Sequence, residues 1–134
     1  LHLGRRDRLV VGEGPVGAPI LFVGEQPGDQ EDLAGRPFVG PAGEVFDRAL
    51  AAAGIDRAQT YVTNAVKHFK FEPRGKRRIH AKPGVGEIDA CRWWIEQERG
   101  ILRPRMTVAL CRRSSARAYA AVRNPVTPRS FCSA

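Results

Sequence analysis

The chain has 134 residues, enough for one domain of ordinary size and too short for two. Hydrophobic residues make up 43% and charged residues 27%, which argues against a wholly disordered chain or a fibrous repeat, and no apolar run approaches the length of a membrane span. With 22 Lys plus Arg against 14 Asp plus Glu, the formal charge is +8, a balance that favours a polyanionic partner such as nucleic acid or a phosphate-rich ligand.

After a polar lead-in rich in Gly and Pro, Ile20-Leu21-Phe22-Val23 is a short apolar run that stops at Gly24, the pattern of a buried strand ending in a loop. The loop reads GEQPGDQED, from Gly24 to Asp32. Val45, Phe46, Ala49, Leu50 and Ala53 fall on one helical face, with Pro41 near the start and Gly54 in the place of a C-cap, which predicts a helix from about Pro41 to Ala53. Tyr61 to Val66 is rich in β-branched and aromatic residues and predicts a second strand. Ile88, Cys91 and Ile95 share a face of a second helix, and Met106 to Leu110 reads as a third strand. Strands alternating with helices imply βαβ crossovers and a parallel sheet between helices, so the expected class is α/β. Sites in such sheets gather at the carboxyl ends of strands, which directs attention to the loop after Val23 and to the long basic loop after Val66.

Residues 99–134 contain eight Arg and no Asp, Glu or Lys. The stretch reads either as an Arg-rich helix and tail bound to nucleic acid, or as sequence whose native continuation has been lost through truncation or a reading-frame shift. The expected organisation is an α/β core over 1–110 and an atypical Arg-rich tail over 111–134. Cys91, Cys111 and Cys132 are odd in number and widely spaced, with no CxxC pair, which suits a reducing cytosol and a cytoplasmic protein better than a disulfide framework. The opening Leu1-His2-Leu3-Gly4 does not have the pattern of a secretory signal, and without an initiator Met the chain is expected to begin inside a longer one.

From Val66 to Lys82 the sequence VKHFKFEPRGKRRIHAK holds seven basic side chains, one acid, two Phe and two His. Basic groups interleaved with aromatics suit a single-stranded nucleic acid, the charges following phosphates and the rings offering stacking surfaces; a solvated basic loop is the plain alternative. Gly75 and Pro83 bracket Lys76 to Lys82, which predicts that His80 rides on a loop. Crowding by Lys76, Arg77, Arg78 and Lys82 would disfavour its charged form and leave a neutral imidazole able to act as base or nucleophile. The first loop offers Glu25, Asp29, Glu31 and Asp32 around Pro27-Gly28, where glycines let a ligand approach the backbone; an acidic solvated loop or a helix start is the alternative. Phe38 stands in the rigid frame GRPFVG, as a core plug or as a stacking platform. Asn64 lies near its strand end, where its carboxamide can cap or can pair with an edge presenting N–H beside C=O. Uracil has that edge and cytosine does not.

Together, GEQPGDQEDLAGRPFVGPAGE, YVTNAVKHFK and KRRIH resemble the uracil-DNA glycosylases that carry an iron–sulfur cluster (the family 4-like superfamily), over roughly residues 20–110. GKRRIH after KHFK is similar to the UdgX-type branch, whose members excise uracil from DNA and become covalently attached to the abasic sugar. The resemblance implies a three-layer α/β/α sandwich with a central parallel sheet and a role in base-excision DNA repair. It sets Gly24, Glu25, Gln26 and Asp29 at the flipped nucleotide, Phe38 against the uracil face and Asn64 on its polar edge. His80 becomes the nucleophile, held by Arg78, with Lys76 and Arg77 in the same DNA-contacting loop. It further implies a monomer that acts on uracil-containing, preferably single-stranded DNA and uses no membrane. Relatives bind a [4Fe–4S] cluster through an N-terminal CxxC and later ligands; only His68 and Cys91 match ligand positions, so the cluster is expected to be absent or incomplete. The family's C-terminal His-Pro-Ser segment has no counterpart either. Two rivals accompany this reading: a catalytically inactive DNA-binding remnant, which would bind regardless of uracil, and a nucleotide-binding module built on the Gly24–Gly28 loop, which lacks the GxGxxG spacing.

Overall fold

The structure is a computed structural model, and it describes residues 8–110. The Arg-rich tail at 111–134, with Cys111 and Cys132, lies outside the described residues. Three parallel strands form the sheet in the order β2-β1-β5: β1 (Ile20–Gly24) in the centre, β2 (Thr60–Asn64) on one side and β5 (Met106–Leu110) on the other. Between β1 and β2 run α1 (Asp29–Ala34), α2 (Pro41–Ala52) and a 3₁₀ turn at Arg57–Gln59. A hairpin, β3 (Phe71–Arg74) and β4 (Arg77–His80), precedes α3 (Val85–Leu102), which leads into β5.

Side chains alternate across a strand, and β1 divides its apolar run accordingly. Leu21 and Val23 join Ala65, Val66, Ile88, Cys91, Ile95 and Leu102 in a core beneath α3. Phe22 joins Phe46, Leu50 and Val62 in a second core beneath α2, with Ile20, Phe38, Ile55 and Val108 packed against it. Helices therefore cover both faces of a central parallel sheet, the α/β/α architecture read from the pattern. The chain at residues 10–13 runs along β2, with Glu13 bridged antiparallel to Val62 and the Val10 amide bonded to the Lys67 carbonyl, and this covers an edge that would otherwise offer unpaired backbone groups. Among the described residues no helix is long and apolar enough to cross a membrane.

Three expectations change. The second strand ends at Asn64 rather than Val66, although the Ala65 and Val66 amides continue to bond the Gly24 and Glu25 carbonyls. The segment after Gly28 takes the helix-start alternative as a short helix, but Glu31 and Asp32 are buried in it rather than solvated. The basic loop after Val66 contains an antiparallel hairpin turning at Gly75, whose φ of 60° a side chain would oppose, so His80 ends a strand instead of riding on a loop.

Candidate active site

Parallel strands finish at one rim of the sheet, so the segments after β1 and β2 emerge side by side there. At that rim lies a cavity of about 390 Å³. Of the residues singled out in the sequence, Gln26, Gly28, Asp29, Glu31, Phe38, Asn64 and His80 line it, while Gly24, Glu25, Asp32, His68, Lys76, Arg77, Arg78 and Cys91 do not.

Gly24 lets two of the lining groups meet. A Cβ at this position would lie 2.8 Å from the Phe38 ring tip and closer still to Asn64 Oδ1, so the lack of a side chain leaves room for a ring and a carboxamide over one strand end. Phe38 is half-buried with a left-handed backbone (φ 53°). Its ring lies 5.1 Å from that of Phe46, which meets Phe22 edge-on at 4.9 Å. Phe38 is thus tied to the core on one side and lines the cavity on the other. Asn64 is in register with Gly24 and only 3% exposed. Its backbone carbonyl accepts from Lys67 Nζ at 2.7 Å, while its side chain reaches the cavity.

On the opposite wall the buried Gln26 links the first loop to the hairpin. Its Nε2 donates to the Ala81 carbonyl at 2.8 Å, and its Oε1 accepts the Lys70 amide at 3.3 Å. These two partners orient the carboxamide, so its second N–H points at His80 Nε2, 2.7 Å away. The imidazole nitrogen must then be the acceptor, which selects the tautomer with its proton on Nδ1. His80 itself is exposed, stands opposite Phe71 across the hairpin, and lies 6.0 Å from the Phe69 ring. Lys76 and Arg77 belong to the turn end of the hairpin, three or four residues from His80 along a chain that rises about 3.3 Å per residue.

Arg78 clamps the hairpin to α1. Its guanidinium bonds Asp32 at 2.6 Å and Asp29 at 2.5 Å and lies over the Phe69 and Phe71 rings at 5.2 and 5.1 Å. Burial alone would lower its pKa; the hydrogen bonds and charges of Asp32 and Asp29 outweigh burial and hold it above its ordinary value. Glu31, whose part is not evident from the sequence, ties two walls together, accepting the Gly28 amide at 3.1 Å and the Gly40 amide at 2.7 Å. The available signal was a Glu at the third position of a helix, where it can reach back to the cap amide. Glu25 is partly buried, and its carbonyl takes the Val66 amide.

The sequence profile of the "Uracil DNA glycosylase superfamily" matches residues 11–129. The chain belongs to this superfamily. The type-4 uracil-DNA glycosylases of Pyrobaculum aerophilum and Thermotoga maritima are each 41% identical to it over 110 residues, 82% of this chain. That of Sulfurisphaera tokodaii is 39% identical over 111 residues. The chain spans about half the length of these curated relatives, 52%, 53% and 47% in turn.

For this superfamily member the cluster implied by the resemblance can be tested against the side chains. Cys91 is buried with its Sγ accepting the Lys67 amide at 3.4 Å, and His68, from the next residue along, is exposed. Among the described residues no group of three or more His, Cys, Asp or Glu gathers where it could hold a metal. The side chains of residues 8–110 therefore do not fit a four-ligand cluster. The cation beside Cys91 is Lys67, fully buried, with Nζ donating to Thr63 Oγ1 at 2.5 Å and to Glu98 Oε2 at 2.8 Å. Burial pushes its pKa down and Glu98 offsets part of that push. Glu98 also follows Cys91 and Ile95 at helical spacing on α3, the one sequence feature that could have marked it as inward-facing.

Proposed function

We propose that the chain is the core of a uracil-DNA glycosylase that acts on single-stranded DNA and whose His80 becomes bonded to the abasic deoxyribose. The observation that carries this reading is the convergence of Asp29, Phe38, Asn64 and the Gln26–His80 pair on one cavity. Phe38 offers a ring face for stacking, and the Asn64 carboxamide has the donor and acceptor that the N–H and C=O edge of uracil requires. Breaking the N-glycosidic bond leaves positive charge on the sugar and negative charge on the base. Asp29, which lines the cavity, would serve the sugar side, and the Asn64 amide the base side.

The departing uracil takes the electron pair of the C1′–N1 bond. The His80 Nε2 lone pair then forms a bond to C1′, exchanging the Gln26 hydrogen bond for a covalent one, and the exposed imidazolium passes its Nδ1 proton to solvent. Such an adduct limits the protein to a single turnover. Arg74, Lys76 and Arg77, exposed at the hairpin turn, supply cations for the phosphates, and a single strand presents its base with no pairing to break.

The test mixes the purified chain with a uracil-containing single-stranded oligonucleotide on a denaturing gel, with His80→Ser and a thymine strand as controls. The expected result is an adduct that survives boiling in detergent and is missing from both controls. DNA binding that ignores uracil, with neither adduct nor abasic product, would instead identify an inactive DNA-binding remnant.

A further inference from the structure

We infer that Arg57, which lies outside the cavity, is a positioning residue for the base-stacking platform and acts through Phe38. The inference rests on the reading of Phe38 as that platform.

Phe38 holds a backbone conformation that side-chain-bearing residues rarely adopt, so something outside its own peptide must keep it there. The Arg57 guanidinium does so from two directions. Its Nη2 donates to the Phe38 carbonyl at 3.1 Å and to the Pro37 carbonyl at 3.4 Å. Its Cζ also lies over the Phe46 ring, 5.6 Å from the centroid, the same ring that backs Phe38. Asp47 anchors Nη1 at 2.5 Å, so the fork is held at one end and bonded to the platform at the other. A Cβ on Gly43 would collide with the Phe38 carbonyl, which shows how closely that peptide is pressed against α2.

Arg57 is itself fixed. Asp56 caps its 3₁₀ turn by accepting the Ala58 amide at 3.0 Å, and the Thr60 hydroxyl donates to the Arg57 carbonyl at 2.8 Å. The result is a path from the start of β2 to the ring that faces the base, with no contact between Arg57 and the reacting atoms. Lysine would reproduce it only in part, because a single point charge lacks the planar fork whose Nη1 holds Asp47 while Nη2 holds the Phe38 and Pro37 carbonyls.

The test measures single-turnover reaction on a uracil-containing single strand, separating the maximal rate from the protein concentration giving half that rate. Arg57→Ala is expected to lower the maximal rate about tenfold, since a small misplacement of the base is costly, and to change the half-saturating concentration by less than about twofold, because phosphate contacts at the hairpin set it. Arg57→Lys should recover only part of the loss. Phe38→Leu combined with Arg57→Ala should be no slower than Phe38→Leu alone, because the second change acts through the first. A rate for Arg57→Ala within about twofold of the parent, or losses that add in the double variant, would overturn the inference. A readout independent of activity is the NMR shift of the Phe38 ring protons, which carry the ring current of Phe46. Those shifts should move in Arg57→Ala, and unchanged shifts in a folded variant would also defeat it. If the parent neither forms an adduct nor releases uracil, the functional reading falls, and the Phe38 shifts still decide whether Arg57 holds the ring.

Discussion

Glu31 shows how much of the cavity depends on side chains that never need to touch a ligand. Its two carboxylate oxygens satisfy the amides of Gly28 and Gly40, which belong to different walls, and the side chain is 7% exposed. Glu31→Ala would leave both donors without that acceptor in a poorly hydrated place, a cost of about 3 kcal/mol in unfolding free energy. Glu31→Gln keeps one acceptor and should lose about half as much. Urea denaturation of the two variants checks the order, and equal, small losses would mean that water or a shift of the backbone replaces the carboxylate. At this scale the sequence was legible where local chemistry was unusual. Phe38 stood out through its Pro and Gly frame, and Asn64 through its place at a strand end. For Glu31 only the bond to the nearby Gly28 amide had a local signal; its bond to Gly40 and the bonds of Arg57 to Pro37 and Phe38 were not legible, because these partners lie nine or more positions away and nothing local to a Glu or an Arg encodes them.

The hairpin β3–β4 is the element that the sequence hid most effectively. Its strands have four residues each, Pro73 sits in one, and runs of Arg mask the alternation by which strands are recognised. It is held to the rest of the molecule chiefly by polar contacts: Gln26 to Ala81 and Lys70, and Arg78 to Asp29 and Asp32. Asp32 contributes most to that clamp, since its side chain is 2% exposed whereas that of Asp29 is 47% exposed and screened by solvent. Arg78→Lys removes the fork and the ring stacking while keeping the charge, and should weaken the clamp by about 2 kcal/mol. Hydrogen exchange reads this directly: the hydrogen-bonded amides of β3 and β4 should exchange roughly thirtyfold faster while those of β1 keep their protection. Equal acceleration in both elements would show that Arg78 stabilises the fold as a whole, not the hairpin in particular.

For the whole molecule, the apolar runs of β1 and β5 and the helical faces of α2 and α3 were sufficient to read a parallel α/β sandwich, because burial on both sides of a sheet leaves few other patterns. What ties the layers laterally is polar and was not readable: Glu98 of α3 accepts from Gly12 in the N-terminal segment, from Thr63 of β2 and from Lys67, and lies within 3.4 Å of the Tyr61 hydroxyl. These partners are far apart in sequence and assemble only once the sheet exists. The network gives stability an alkaline limb. Burial, then the charge and hydrogen bond of Glu98, push the Tyr61 pKa from 10.0 up to about 12. Below pH 10 the phenol is protonated in both folded and unfolded chains; between about 10 and 12 only the unfolded chain ionises, so the unfolded state gains and stability falls. Lys67 has the opposite sign, since its pKa is lowered by burial and the cost of burying its charge is relieved as pH rises. Comparing the parent with Tyr61→Phe largely cancels the lysine, which both chains share. The stability difference between them should therefore be flat up to about pH 10 and should move steadily in favour of Tyr61→Phe above it, as read from urea midpoints taken between about pH 8 and 11.5. A difference that stayed constant across that range would mean that Tyr61 ionises equally in both states and that Glu98 is held by Gly12, Thr63 and Lys67 without it.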